Sequence, residues 1–164
     1  MSDLDEGRSP GEAAELVARM AEGGETLAVA ESLTGGLLAD AFVSVPGASA
    51  VFVGGVVSYA TRIKAEVLGV SADLLARVGA PDPEVAVAMA VGVRQLLRST
   101  VALATTGVAG PESQDGKPPG TIYVALATSR RTRVSATHVA GTRQQVRVAA
   151  VRQALDLLAD ELGE

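Results

Sequence analysis

Two apolar stretches of strand length, Leu27 to Ala30 and Val101 to Ala104, each run straight into hydroxyls and glycines. The segments that follow are Glu31-Ser32-Leu33-Thr34-Gly35-Gly36 and Thr105-Thr106-Gly107-Val108-Ala109-Gly110-Pro111. A buried strand that ends this way turns sharply, which suits an α/β sheet covered by helices. It also leaves N–H groups and Ser/Thr oxygens pointing into a crevice, and ligands of open α/β sheets bind at such carboxyl ends. Glycine and threonine serve equally as plain strand-to-helix turns and helix N-caps, so the two runs mark a candidate site and no more.

Between and around these runs the periodicity alternates. Pro10 to Ala21 carries Ala13, Leu16, Val17 and Met20 at helical spacing, and Leu37 to Val45 continues as a helix from the glycine turn until Pro46-Gly47. Val51 to Tyr59 reads as a strand, with Gly54-Gly55 inside it suggesting a bulge or a close backbone approach. Two short helices follow, over Thr61 to Leu68 and Ala72 to Val78, then a turn at Ala80 to Pro83 and a largely buried helix over Glu84 to Leu97. After the strand Val101 to Thr106, the stretch from Gly107 to Gly120 holds three prolines and four glycines, the composition of a functional loop. Thr121 to Thr128 and Arg133 to Val139, joined by a short polar turn, form an antiparallel hairpin. Thr142 caps a closing amphipathic helix to Leu162. The expected fold is a single three-layer α/β/α domain over residues 10–164, with a mixed, mostly parallel sheet and a late hairpin, preceded by a frayed acidic tail over residues 1–9.

Two Phe, two Tyr and no Trp leave the core to Ala, Val and Leu, and small side chains imply closely approaching layers. The oligomer expected from this composition is a homo-oligomer, because the helices are apolar for a chain of this size. A net charge of −5 with both signs interspersed offers no footprint for nucleic acid and no basic patch for a membrane. Cysteine is absent, which removes disulfides, thiolate metal sites and cysteine nucleophiles, and agrees with a cytoplasmic location. No apolar run reaches membrane-spanning length, and the N-terminus lacks the basic and apolar regions of a signal peptide.

The lone histidine, His138, lies in a strand far in sequence from the hydroxyl-rich runs, so it reads as structural and a Ser-His-Asp triad is disfavoured. No His or carboxylate cluster has metal-ligand spacing, and neither glycine run ends in Gly-Lys-Ser/Thr, which excludes a Walker-type loop. What remains is a hydroxyl nucleophile with a lysine base. Lys64, one of two lysines, sits just inside a helix after the strand ending at Ser58-Tyr59; burial away from carboxylates would lower its pKa, whereas a snorkelling surface lysine would do nothing.

The segments AESLTGGLLADAFVSVPGASAVFVGGVVSYATRIKAEVLGV (Ala30 to Val70), ATTGVAGP (Ala104 to Pro111) and KPPGTIYVAL (Lys117 to Leu126) resemble the CinA C-terminal domain family. The match continues in order through Gly141-Thr142-Arg143 and Val146-Arg147. Characterised members of that family are nicotinamide-nucleotide amidohydrolases, which convert nicotinamide mononucleotide to nicotinate mononucleotide and ammonia in pyridine-nucleotide salvage without a metal or cofactor. The resemblance implies a serine, a tyrosine and a lysine as machinery, carried here onto Ser49, Tyr59 and Lys64. Ser49 attacks the amide carbon, Lys64 is the general base, and Tyr59 orients the pair or relays the proton. Ser32, Thr34, Gly35, Gly36, Thr106, Gly107 and Arg143 are then the expected substrate-binding residues, supplying donors to the phosphate and to the developing oxyanion. The chain departs from the family at Leu33, where Cys is common, at Ala60-Thr61-Arg62-Ile63, where Ser-Asn-Glu-Ala is frequent, and at Glu112 to Gly116, which is poorer in glycine. These departures keep a second reading alive, a catalytically silent nucleotide-binding or regulatory module. Longer members carry a further N-terminal nucleotide-pyrophosphatase-like domain, so this chain is expected to be a stand-alone form.

Overall fold

The computed structural model describes residues 10–163, so the acidic tail expected over residues 1–9 lies outside the described residues. Six helices and five strands alternate along the chain. They are α1 (Pro10–Glu22), β1 (Leu27–Glu31), α2 (Leu37–Val43), β2 (Phe52–Val57), α3 (Thr61–Glu66), α4 (Ala72–Val78), α5 (Pro83–Leu97), β3 (Val101–Gly107), β4 (Thr121–Ala127), β5 (Thr132–His138) and α6 (Arg143–Gly163). A single 3₁₀ turn, Ala48–Ala50, precedes β2. The five strands form one sheet in the order β2-β1-β3-β4-β5. β1 pairs in parallel with both β2 and β3, while β4 and β5 run antiparallel to their neighbours. The sheet is therefore mixed, and its pairings divide evenly. The antiparallel part begins one pairing earlier than the sequence suggests, because the loop after β3 folds straight back into β4.

Alternation within each strand sorts side chains by size onto two faces. Leu27, Val29, Leu103, Ile122, Val124 and Leu126 face α1, α2 and α6, where Leu16, Met20, Phe42, Val146 and Leu158 complete a core. On the other face the sheet presents Ala28, Ala30, Ala102, Ala104, Ala125 and Ala127 to α5. An alanine surface lets α5 lie close, and Val85, Ala86, Met89, Ala90 and Val93 bury there completely. Gly92 on the same helix is obligatory for a related reason, since a Cβ there would sit 2.0 Å from the Leu68 carbonyl oxygen. The aromatic-poor composition is thus a packing device: small residues bring a helix onto one face, and branched residues fill the other.

Local signals explain the helix ends. Asp82 caps α5 by accepting from the Glu84 N–H at 2.9 Å, with Pro83 in the first turn. Ser71 caps α4 through the Leu74 N–H. Among the described residues no helix is long and apolar enough to cross a membrane.

This topology sets where a ligand can sit. β1 has β2 on one side and β3 on the other, so the chain reverses direction of travel across the sheet between β1 and β3. The carboxyl ends of all three parallel strands lie abreast at this switch point, the usual position for a crevice.

Candidate active site

Ser32 immediately follows β1, and its N–H donates to the Thr105 carbonyl at 3.0 Å, extending the β1–β3 ladder by one residue. Beside it, β2 ends at Val57 and the chain passes through Ser58 and Tyr59 into α3. One turn into α3, Lys64 points back beneath that connection. Its Nζ donates to Ser32 Oγ at 2.9 Å and to the Ser58 carbonyl at 2.6 Å, and lies 3.5 Å from the Tyr59 carbonyl. Every partner is neutral. The Lys64 side chain is 1% exposed, and burial without a carboxylate pushes its pKa down from 10.5 to about 8. A serine hydroxyl in hydrogen-bond contact with an amine so poised is an arrangement that can serve as nucleophile and general base.

The turn holding Ser32 is clamped from two sides. Glu31, fully buried at the end of β1, accepts from the Leu38 N–H at 2.8 Å and the Ala39 N–H at 3.1 Å, doing at the start of α2 what no local cap does. It also accepts the Thr34 hydroxyl at 2.5 Å. Thr34 Oγ1 has one proton and has given it to Glu31, so across the 2.7 Å contact with Thr105 Oγ1 it is Thr105 that donates. From α6, Arg147 donates to the carbonyls of Leu33 at 3.2 Å and Thr34 at 2.8 Å. Gly35 and Gly36, at φ of 57° and 108°, make the left-handed turn that starts α2.

A crevice of about 490 Å³ opens over this group, large enough for a nucleotide. Ser32, Tyr59, Lys64, Thr106, Gly107 and Arg143 all line it, together with the loop from Val108 to Gln114. Arg143, from the first turn of α6, bridges its mouth by donating to the Tyr59 hydroxyl and the Gly110 carbonyl, both at 2.8 Å. The loop is anchored to the α4–α5 connection: Thr106 Oγ1 donates to the Ala80 carbonyl, the Ala80 N–H to Asp115, and Lys117 to the Pro81 carbonyl. The Gly110–Pro111 peptide within it is cis.

Gly107 has a geometric role. Val108 donates to the Thr121 carbonyl, so Thr106 and Val108 turn their polar groups toward β4 while Thr105 and Gly107 turn theirs toward β1. Thr105 meets Ser32 in this way, and by the same alternation the Gly107 N–H, two residues on, lies on the β1 side of the strand, where Gly107 lines the crevice. A side chain is excluded at this position, because a Cβ would lie 2.2 Å from the Thr121 carbonyl oxygen.

Not every expected residue gathers here. Ser49 is exposed in the 3₁₀ turn before β2, whereas Tyr59 and Lys64 follow that strand. Six strand residues intervene, on the order of 20 Å. The structure thus does not bring Ser49 to Lys64, and Ser32, expected only to bind substrate, is the serine that touches it. Tyr59 lines the crevice, but its hydroxyl is engaged by Arg143 and does not reach the serine–lysine pair. Thr34, Gly35 and Gly36 shape the turn from behind and do not line the crevice. The altered residues Thr61 and Arg62 face solvent, Arg62 pairing with Glu66 at 2.8 Å, so they leave Lys64 in place. His138 lies on β5 against the Pro119 carbonyl at 2.9 Å. Glu31 and Arg147 are supports that sequence reasoning missed. Among the described residues no group of three or more His, Asp or Glu side chains is placed to hold a metal ion.

The profile of the CinA C-terminal domain matches residues 11–162. The CinA-like protein of Frankia casuarinae is 54% identical over 133 residues, covering 81% of this chain and 31% of its own length. The CinA-like protein of Geobacter sulfurreducens is 47% identical over 138 residues, covering 84% of this chain and 33% of its own. The chain spans about a third of the length of these curated relatives. Among solved structures, a competence-damaged protein (CinA) superfamily protein from Escherichia coli superposes with a TM-score of 0.91 at 31% identity, covering 98% of this chain and 94% of that one. The competence/damage inducible protein CihA from Agrobacterium tumefaciens gives 0.86 at 33% identity, covering 94% and 98%.

Proposed function

This chain belongs to the CinA C-terminal domain family, and we propose that it is an amidohydrolase converting nicotinamide mononucleotide and water to nicotinate mononucleotide and ammonia. The observation that carries this reading is the contact of 2.9 Å between Ser32 Oγ and the amine of Lys64, buried and without a carboxylate partner. The pKa of about 8 leaves a usable fraction of that amine neutral near pH 7.

The chemistry balances with this chain's own groups. Neutral Lys64 Nζ takes the Ser32 hydroxyl proton as Oγ bonds to the carboxamide carbon, and the carbonyl becomes an oxyanion that the Gly107 N–H is directed to meet. Lys64, now an ammonium, returns the proton to the amide nitrogen as the C–N bond breaks, and ammonia leaves. Water then attacks the Ser32 ester with Lys64 again taking the proton. Oγ departs protonated, and the nicotinate carboxylate is released. Arg143 at the mouth is the strong cation available to a substrate phosphate, exchanging its contacts with Tyr59 and Gly110 for phosphate oxygens.

The rest of the reading follows the resemblance and the composition: from the first, no metal or cofactor and a place in pyridine-nucleotide salvage; from the second, a cytoplasmic location and no partnership with nucleic acid or membrane. Exposed valines at positions 43, 53, 57 and 67 support a homo-oligomer. The test is incubation of purified protein with nicotinamide mononucleotide in EDTA, following ammonia and nicotinate mononucleotide. Stoichiometric release of both is expected. No release, with a rise in melting temperature on adding the nucleotide, would favour the silent binding module instead.

A further inference from the structure

A second cavity, of about 800 Å³, lies at the opposite end of the sheet from the crevice. It is walled by Arg94 of α5, by the connection from Ser99 to Val101, by the β4–β5 turn from Thr128 to Arg131, by Glu25, and by Glu161 and Leu162 near the end of α6. β1 separates it from Ser32 by five residues, roughly 15 Å.

Its polar groups are unevenly matched. Glu161 is committed to Arg131 through contacts of 2.9 and 3.1 Å, and to Arg133 at 3.5 Å, so its charge is already neutralised. Glu25 remains as the opposing charge to Arg94 and Arg130. Ser99 is 4% exposed, and its Oγ has no hydrogen-bond partner among the described residues; the same holds for the enclosed Nε of Arg94. Thr100 and Thr26, by contrast, satisfy one another across the same region. A buried donor left unmet is unfavourable, so two of them just beneath the lining of one polar cavity call for an acceptor. A cation in the last turn of α5 is favoured by the helix dipole, which explains the charge of Arg94 but not the unmet hydroxyl beneath it.

We propose that this cavity is an anion site, separate from the catalytic crevice, that takes the phosphate group of a small molecule on Arg94, Arg130 and the Ser99 hydroxyl. Arginine presents a planar donor fork to phosphate oxygens, and rotation about the Ser99 Cα–Cβ bond supplies a third donor. The volume accommodates inorganic phosphate or a nucleoside monophosphate.

The test is calorimetric titration of the full chain with inorganic phosphate and, separately, with adenosine monophosphate, alongside thermal melts. Wild type binds saturably and melts higher with ligand. Arg130→Gln, an exposed change that spares the fold, and Arg94→Gln each weaken binding about tenfold. Arg143→Gln, at the crevice, leaves this binding unchanged. Ser99→Ala weakens binding yet does not lower the melting temperature of the ligand-free protein, because it removes an unmet donor. Tighter binding of the nucleotide makes it the ligand class, and equal binding makes it the free phosphate. The inference is overturned by absence of saturable binding, by binding indifferent to Arg130→Gln and Arg94→Gln, or by binding lost in Arg143→Gln.

Discussion

Replacing Lys64 by Met should remove activity and stabilise the protein at the same time. With a pKa of about 8, roughly one Lys64 in ten is neutral at pH 7, against about one in three thousand for a lysine at its ordinary 10.5. The fold raises the neutral fraction of this amine by about 300-fold, and the folded state bears the cost. Below pH 8 both folded and unfolded chains hold the proton, and the gap between about 8 and 10.5 corresponds to a ceiling of about 3 kcal/mol against folding. The open side of the crevice screens part of this, leaving about 2 kcal/mol. Between pH 8 and 10.5 the folded lysine sheds its proton first and the unfolded chain binds more protons, so wild-type stability climbs with pH until the penalty is gone. Lys64→Met should therefore melt about 4–8 °C above wild type at pH 7, with the difference closing as pH approaches 10.5. Ammonia release should fall by about 10²–10⁴-fold. Lys64→Arg should be comparably inactive, because a guanidinium keeps its proton. Wild-type turnover should rise with pH and level off above about 8. Activity in Lys64→Arg, or a Lys64→Met protein that is less stable at every pH, would refute the reasoning, since either marks the ammonium as a structural cation.

Gly107→Ala forces a Cβ to within 2.2 Å of the Thr121 carbonyl oxygen; urea titration should show a loss of about 2 kcal/mol or more, with turnover reduced in whatever folds. Glu31→Gln turns one acceptor oxygen into a donor facing the N–H of either Leu38 or Ala39, and should cost about 1–3 kcal/mol in the same titration. Dialysis against EDTA should leave ammonia release unchanged.

The elements legible in the sequence are those whose signal is local. Alternation such as Leu27-Ala28-Val29-Ala30 announces a strand buried on two unequal faces, and the structure places leucine and valine on one core and alanine on the other. The turn at Gly35-Gly36 and the hairpin after Ala127 were equally visible, whereas the cap at Asp82 lay inside a stretch read only as a turn. The serine that meets Lys64 was not singled out, although parallel pairing of β1 with β2 carries the signal that finds it. A residue that precedes a parallel strand lies at the opposite end of the sheet from one that follows it, so Ser49 before β2 could not meet Lys64 after it. Ser32, following β1, could, because adjacent parallel strands end side by side. What stayed hidden depends on contacts distant in sequence. Arg147 reaches Thr34 across 113 residues. The pairing of Arg143 with Tyr59 depends on where α6 begins relative to β2, which no local pattern encodes.

The most direct measurement is acid-quenched peptide mass mapping of the protein during turnover of nicotinamide mononucleotide, with Ser32→Ala and Ser49→Ala run in parallel. The account predicts a nicotinoyl-nucleotide ester on the peptide containing Ser32, no ester and no ammonia from Ser32→Ala, and wild-type turnover from Ser49→Ala. An ester on Ser49, or turnover that survives in Ser32→Ala, would contradict it.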